Sequence, residues 1–141
     1  KGKMKKKCFI NVNKNIIKDK RGFILPLVDK QSKSVSLLKS GVGAIRANHY
    51  HKSDWHYIYV LKGAFMYFYK NKNEKKTHHV EVKAGESIFT PPKLWHATYH
   101  HKLTEMLVVS KNFRDRKTYE KDTVRVNFVT KNDVKKILKK F

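Results

Sequence analysis

The sequence has few of the residues that cross-link secreted domains or interrupt regular structure. Its 141 residues include a single cysteine, Cys8, three prolines and six glycines. One cysteine cannot form an internal disulfide, which is typical of a reducing compartment. No repeat, linker or low-complexity tract is visible, and the length suits one ordinary domain. We therefore expect one domain over residues 1–141.

Long hydrophobic runs are also missing. The longest apolar segment, residues 23–28, falls far short of the ~20 residues that a membrane helix needs, and it contains Pro26. The basic residues 1–7 lead into polar asparagines and a lysine rather than into an apolar segment of signal-peptide length. The sequence predicts a cytoplasmic protein with no membrane partner.

Acidic residues are scarce. There are 11 against 33 lysines and arginines, and the formal net charge is +22. The lysines collect in residues 1–7, 70–76 and 131–140, which read as two chain ends and a turn. No helix-turn-helix, zinc-finger or aromatic RNA-binding motif accompanies them, so nucleic acid is not the expected partner. A positive protein field favours an anionic small substrate.

What the sequence does contain is alternation of apolar and polar residues. About eleven short runs are β-rich or alternate with period two. They cover residues 8–12, 22–28, 34–38, 44–51, 56–62, 64–70, 77–83, 87–90, 96–100, 105–110 and 124–129. This spacing predicts an all-β sandwich or jelly roll over residues 8–129. Residues 132–141 have apolar positions at helical spacing and predict a short C-terminal helix capped by Asn132.

Residues 57–69 are apolar or aromatic on both predicted faces. Alternation places one set on one side (Ile58, Val60, Met66 and Phe68) and a second set on the other (Tyr57, Tyr59, Leu61, Phe65, Tyr67 and Tyr69). One face can fill a barrel, and the other then needs a cover. The pattern predicts a homodimer, with a second copy as the cover.

Four histidines form the strongest local signal. His49 and His51 lie two apart on a predicted strand and must point to the same face. A turn at residues 52–54 brings His56 back towards them, and His96 follows some forty residues later. Ligands on separate strands converge inside a folded barrel.

These histidines stand in two motifs that resemble those of the cupin superfamily. In the first, Gly43, His49, His51 and Gly63 match at full spacing, and His56 stands where glutamate is usual. In the second, Gly85, Pro91 and His96 match, while Lys93 replaces a glycine. The resemblance implies a double-stranded β-helix, the jelly-roll barrel of that superfamily, with the histidines inside it.

A narrower resemblance covers nearly the whole chain. Residues 19–22, Arg46 three residues before His49, the Trp95–His96 pair and residues 112–120 are similar to the nucleotide-sugar cupins. That group contains the dTDP-4-keto-6-deoxyhexose 3,4-ketoisomerases and is related to the dTDP-4-dehydrorhamnose 3,5-epimerases. The resemblance implies a dimeric isomerase or epimerase of polysaccharide or glycan biosynthesis. It also implies metal-free acid/base catalysis on a nucleotide-linked sugar.

Two chemistries follow from these residues, and the sequence leaves both open. As acid/base groups, His49 and His51 would move a proton between adjacent carbons of a keto-deoxysugar. Arg46 would bind phosphate or polarise an oxygen, and Tyr50 or Tyr57 would be a nearby donor. As ligands, His49, His51, His56 and His96 would bind one divalent transition metal, namely Zn, Ni, Fe, Cu or Mn, in an enzyme for another small metabolite. A non-catalytic sugar-binding cupin is a further alternative.

Overall fold

Strands are the main regular element of the chain in the computed structural model, which describes residues 9–10 and 15–139. The strands are β1 Phe9–Ile10, β2 Ile17–Asp19, β3 Gly22–Ile24, β4 Ser34–Ser40, β5 Ile45–His51, β6 His56–Lys62, β7 Ala64–Lys70, β8 His78–Lys83, β9 Ser87–Thr90, β10 Trp95–Tyr99, β11 Thr104–Ser110 and β12 Thr123–Arg125. Two short helices, α1 Arg116–Asp122 and α2 Lys131–Leu138, follow β11 and β12. The all-β prediction is confirmed. Cys8 lies outside the described residues.

Two five-stranded antiparallel sheets face each other. One has the order β1-β9-β6-β11-β4, the other the order β12-β5-β10-β7-β8, and β2 and β3 form a separate hairpin. Strands that are consecutive in the chain therefore often lie in different sheets, as in a jelly roll. Among the described residues, no helix is long and apolar enough to span a membrane.

The main core lies between the two sheets. Its buried members are Ile58, Val60, Phe65, Tyr67, Val82, Ile88, Met106 and Val108. These side chains alternate along their strands with outward-facing neighbours, as a pleated strand requires. Ile58, Met106 and Val108 also line a cavity whose remaining wall includes histidines and arginines.

The residues of β6 and β7 that share a face differ from those predicted by simple alternation. Ile58 and Val60 pack with Phe65 and Tyr67, whereas Met66 and Phe68 belong to a second cluster outside the barrel. The assignment by simple alternation is wrong because Gly63, at φ 84°, carries the chain from one sheet to the other and changes its phase. Only glycine fits there, since a Cβ would lie 2.0 Å from the carbonyl oxygen of Leu103.

The C-terminal region corrects two further predictions. The strand predicted at residues 124–129 is present only as β12, and helix α1 just before it was not predicted. The last helix begins after Thr130, whose side chain accepts from the Asp133 backbone in a capping box, so Asn132 is not the cap. Val134 is buried in the cluster that holds Met66 and Phe68, and it docks α2 on the outside of the barrel.

Candidate active site

A bulge in β5 brings Arg46 and His49 to the same wall. Residues three apart on a regular strand face opposite sides. Here His49 lies opposite His96 and Arg46 lies opposite Thr98, while Asn48 has no residue opposite it. Ala47 and Asn48 both have positive φ, 64° and 61°. The extra residue reverses the in–out alternation of side chains along β5. The Arg46 side chain therefore lines the same cavity as His49.

Asn48 anchors this bulge to the C-terminal segment. Its side-chain amide donates to the Val129 carbonyl at 2.9 Å, and its side-chain oxygen accepts from the Val129 backbone at 3.1 Å. The backbone carbonyl of Asn48 also accepts from the backbone N–H groups of Val126 and Asn127. Asparagine tolerates positive φ better than most residues, so its identity suits both the turn and the anchor.

The four predicted histidines converge inside the barrel. The imidazole centroids of His49 and His51 are 4.6 Å apart, those of His49 and His96 4.8 Å, and those of His51 and His56 4.5 Å. All four residues are buried, with 1–7% of their surface exposed. The cluster is assembled by β5, β6 and β10, which belong to both sheets.

Three of these rings have one nitrogen occupied by an oxygen partner. His96 Nδ1 donates to the Leu94 carbonyl at 2.9 Å, and His56 Nε2 lies 3.0 Å from the Asp54 carboxylate. His51 Nδ1 lies 3.3 Å from the Thr123 hydroxyl, whereas His51 Nε2 is buried without a hydrogen-bond partner in the described part of the chain. The partners therefore fix how the rings are turned and leave nitrogen lone pairs within the cluster.

Burial keeps most of these imidazoles neutral. Burial, together with the nearby charges of His96 and His56, lowers the pKa of His49 to about 2, and burial with a smaller effect of His56 lowers the pKa of His96 to about 4. The pKa of His51 is also strongly lowered, first by burial and then by His56 and His96. Burial alone would raise the pKa of Asp54, but hydrogen bonds from His56 and from the Asn112 backbone outweigh it and the pKa lies below its ordinary value. Asp54 is thus an ionised acceptor for His56.

A cavity of about 350 Å³ opens beside the cluster. His49, His56 and His96 line it, and His51 lies against them with 1% of its surface exposed. Arg46, Arg114 and Arg125 also line the cavity, and none of the described lining residues is acidic. This combination gives an electropositive site next to neutral imidazoles, which suits an anionic ligand.

The structure does not bring Tyr57 to this site. Tyr57 projects from the opposite face of β6, where it packs with Trp55 and Val109, and its hydroxyl donates to Ser87 at 3.0 Å. Its neighbours His56 and Ile58 line the cavity instead. A strand can present only alternate residues to one face, so Tyr57 and His56 could not share the cavity.

Sequence reasoning misses four charged or aromatic residues of the site, namely Asp54, Arg114, Tyr119 and Arg125. The sequence predicts Asp54 in a turn, Arg114 and Tyr119 in a segment similar to the nucleotide-sugar cupins, and Arg125 in the last strand, none of them with a role at the site. The available signal is that Asp54 lies two residues before His56. Side chains two apart on an extended chain point to the same face, so the Asp54 carboxylate can reach the His56 ring. The positions of Arg114 and Tyr119 depend on how the segment after β11 folds back, and strand periodicity gives no signal for that.

The donor set of the cluster fits a transition metal. One ligand atom from each of His49, His51 and His96 lies within 4.8 Å of the others, and His51, Asp54 and His56 form a second such group. The unpaired, buried Nε2 of His51 and the carbonyl-bound Nδ1 of His96 are the arrangement that a histidine-ligated metal requires. His56 belongs to the second group, and its Nε2 is hydrogen-bonded to Asp54.

The family follows from a comparison with protein-family models. Residues 37–110, just over half of the chain, match the cupin domain. The chain belongs to the cupin family. Both histidine motifs lie within the matched residues, so the cupin barrel accounts for the convergence of His49, His51, His56 and His96. No curated protein sequence matches this cupin.

Several solved structures share its fold at low sequence identity. The sugar 3,4-ketoisomerase QdtA from Thermoanaerobacterium thermosaccharolyticum, in complex with TDP, has a TM-score of 0.67 and 19% identity over 96% of this chain and 97% of that chain. The TDP-quinovose 3,4-ketoisomerase WlaRB from Campylobacter jejuni has a TM-score of 0.70 and 18% identity over 86% and 95%. The dTDP-4-dehydrorhamnose 3,5-epimerase from Sulfolobus tokodaii has 0.67 and 15% over 93% and 89%. These likenesses extend over nearly the whole barrel.

Proposed function

We propose that this cupin is a nucleotide-sugar isomerase or epimerase that moves a proton between carbons of a keto-deoxysugar. The observation that carries the proposal is the cavity itself, where neutral imidazoles lie beside Arg46, Arg114 and Arg125 with no acidic lining residue in the described chain. The structural likeness to enzymes of TDP-linked sugars supports the same substrate class. Such a substrate carries a diphosphate, which arginines bind through charge-assisted hydrogen bonds.

We assign the proton transfer to the His49–His51 pair, with His49 on the cavity wall. A neutral imidazole takes the proton from the carbon next to the keto group, which leaves an enediolate and an imidazolium whose proton exchanges with solvent. The pair then protonates the former carbonyl carbon while the hydroxyl proton of the neighbouring carbon passes to the former carbonyl oxygen, so the histidines end neutral as they began. Burial lowers the pKa of both residues, so each imidazole is neutral before the substrate binds and has a lone pair that can accept a proton.

The central test is proton exchange in heavy water with TDP-4-keto-6-deoxyglucose, followed by NMR. The wild-type protein should replace the hydrogen next to the keto group with deuterium. His49→Asn and His51→Asn should each lower this rate by ~10²-fold or more, the usual contribution of a general acid or base. Thermal unfolding of each variant checks that the barrel is intact. If His51→Asn keeps full activity, the assignment is wrong.

A parallel titration with dTDP by calorimetry separates a catalyst from a binding protein. We expect dTDP to bind the wild type, and inorganic diphosphate to compete with it. Binding without any hydrogen exchange would favour the non-catalytic, sugar-binding alternative. No binding of dTDP, ADP or UDP would contradict the nucleotide-sugar proposal as a whole.

A metal-dependent cupin enzyme is the second candidate, favoured by the oriented nitrogens of His51 and His96. His49, His51, His56 and His96 would hold the ion, which would act as a Lewis acid on an oxygen of the ligand. Mass spectrometry of protein purified without added metal distinguishes the two. A near-stoichiometric transition metal favours this candidate, and no uptake on incubation with Zn, Ni, Fe, Cu or Mn favours the metal-free pair.

We also propose that the protein is a homodimer acting in the cytoplasm in polysaccharide or glycan biosynthesis, as the resemblance to nucleotide-sugar enzymes implies. The sheet that carries β4 has exposed apolar residues on its outer face, with Val35 and Leu37 66% and 70% exposed. Leu107 and Tyr59 continue the same row across the sheet and are half-buried. A second copy would cover this face.

A further inference from the structure

The cavity holds few hydroxyl groups. Among the described lining residues only Thr98 and Tyr119 carry one. The Thr98 hydroxyl is 3.0 Å from His100 Nε2 and is engaged by that ring. Tyr119 makes no hydrogen bond through its phenol within residues 9–10 and 15–139. Its hydroxyl is therefore the one that a ligand in the cavity can use.

The Tyr119 ring lies against the histidine cluster. Its centroid is 5.4 Å from that of His51, 6.2 Å from that of His49 and 6.4 Å from that of His56. These are contact distances for aromatic rings, and they place the phenol over three of the four imidazoles. An aromatic group in this place bounds the space where a sugar would meet His49.

Helix α1 fixes this position through its ends. Asp115 caps the helix by accepting from the backbone and side chain of Thr118 at 3.2 and 2.6 Å. The Tyr119 carbonyl accepts from the Thr123 hydroxyl at 2.6 Å, and Asp122 accepts from the backbone N–H groups of Ser53 and Asp54. The helix is thus tied to the loop that leads from His51 to His56, so the phenol and the histidines keep a fixed relation.

Arg114 sets the electrostatic surroundings of the phenol. Its guanidinium carbon lies 4.1 Å from the Tyr119 ring centroid, within the range of a cation–π contact. Both side chains line the cavity, and one terminal nitrogen of Arg114, Nη1, is buried without a hydrogen-bond partner in the described chain. A cation at this distance strengthens the phenol as a hydrogen-bond donor, because it stabilises negative charge on the oxygen.

We propose that Tyr119 is a catalytic residue that donates a hydrogen bond to the keto oxygen of the sugar. The proposal rests on the function proposed above. As the histidine takes the proton from the neighbouring carbon, the C–H electron pair becomes the C=C bond of the enediolate. The carbonyl π pair then moves to the oxygen, where the Tyr119 O–H meets the developing charge. The sequence predicts a phenol at the site from Tyr57 on β6. In this proposal the phenol comes instead from Tyr119 on helix α1.

The test compares Tyr119→Phe with Tyr99→Phe. Both changes remove only a hydroxyl, and Tyr99 lies on β10, the strand of His96, but packs in the cluster outside the barrel. With TDP-4-keto-6-deoxyglucose, Tyr119→Phe should lower kcat by ~10²- to 10³-fold, as loss of an oxyanion donor does. The dTDP affinity should change less than about twofold, and Tyr99→Phe should match the wild type in both measurements.

Several outcomes overturn the proposal, and they are distinguishable. An unchanged kcat in Tyr119→Phe with an active wild type removes Tyr119 from the chemistry and leaves the proposed function standing. A loss confined to dTDP affinity or KM, with kcat intact, makes Tyr119 a binding residue only. A wild type that binds dTDP but exchanges no hydrogen overturns the proposed reaction and the role of Tyr119 together.

Discussion

His100 is a buried histidine outside the metal-ligand set. It is 0% exposed, its ring packs 5.3 Å from that of Phe65, and its Nε2 lies 3.0 Å from the Thr98 hydroxyl. Burial, with smaller contributions from the charges of Arg46 and His101, lowers the pKa of His100 to about 4. His100 therefore links the stability of the barrel to pH.

The direction of this dependence follows from proton binding. In the unfolded chain His100 takes up a proton below pH ~6.5, whereas in the folded protein it does so only below about 4. The free energy of unfolding should fall as pH drops through that interval. His100→Gln should reduce the dependence by about one proton per molecule at pH 5. Urea unfolding at several pH values measures both slopes, and equal slopes would contradict the prediction.

At the scale of the element, the β5 bulge connects fold and site. It depends on Asn48, which combines a positive φ of 61° with two side-chain hydrogen bonds to Val129. The bulge also decides that Arg46 faces the cavity, since Arg46 pairs with Thr98 beyond the extra residue. A change at Asn48 should thus affect both stability and anion binding.

Asn48→Ala should destabilise the protein by about 1–3 kcal/mol. The change removes both side-chain hydrogen bonds, and it leaves a residue with a Cβ at positive φ without those bonds to offset the backbone strain. Asn48→Gly loses the same bonds but tolerates the backbone, so it should be about 1 kcal/mol less destabilised than Asn48→Ala. Urea unfolding measures both. Calorimetry with dTDP should show weaker binding in Asn48→Ala. Equal stabilities of the two variants would rule out backbone conformation as the reason for asparagine.

Helix α1 is the other element that acts on the site. It has no fully buried residue, yet through Asp122 and Thr123 it contacts the loop and the ring of His51. Its stability therefore comes from hydrogen bonds at its ends rather than from an apolar face. This explains why period-based reasoning found α2, which has a buried Val134, and did not find α1.

At the scale of the whole molecule, the outer face of the first sheet bears on the proposed homodimer. The outer face around Val35 and Leu37 is apolar and exposed, whereas the equivalent outer face of the other sheet is covered by α2. The asymmetry favours dimerisation through the first sheet, since an uncovered apolar face is costly in water.

Leu37→Glu should weaken the dimer at least tenfold, because it places a charge in the proposed contact. Val42→Glu is the matched control, since Val42 is equally exposed, at 71%, but lies in the turn between β4 and β5. Light scattering over a range of micromolar concentrations measures the dissociation. A monomeric mass of the wild type at these concentrations would refute the dimer.

Much of this protein is determined locally by its sequence. Alternation of period two is a property of each strand alone, so the all-β class and most strand positions could be predicted. Two histidines at i and i+2 share a face whatever the rest of the chain does, and this places His49 beside His51. The motif spacing around Gly43, Gly63 and Gly85 then identifies the cupin barrel, which brings in His56 and His96.

Tertiary structure decides which face of a strand a side chain occupies after a bulge or a sheet crossing, and where a segment folds back over the site. Arg46 faces the cavity only because a bulge shifts β5 against β10, and Phe65 replaces Met66 in the core only because Gly63 carries the chain between sheets. Tyr119 and Arg114 reach the histidines because hydrogen bonds at both ends of α1 fold the segment back over them. Such relations join residues distant in sequence, and no local period encodes them.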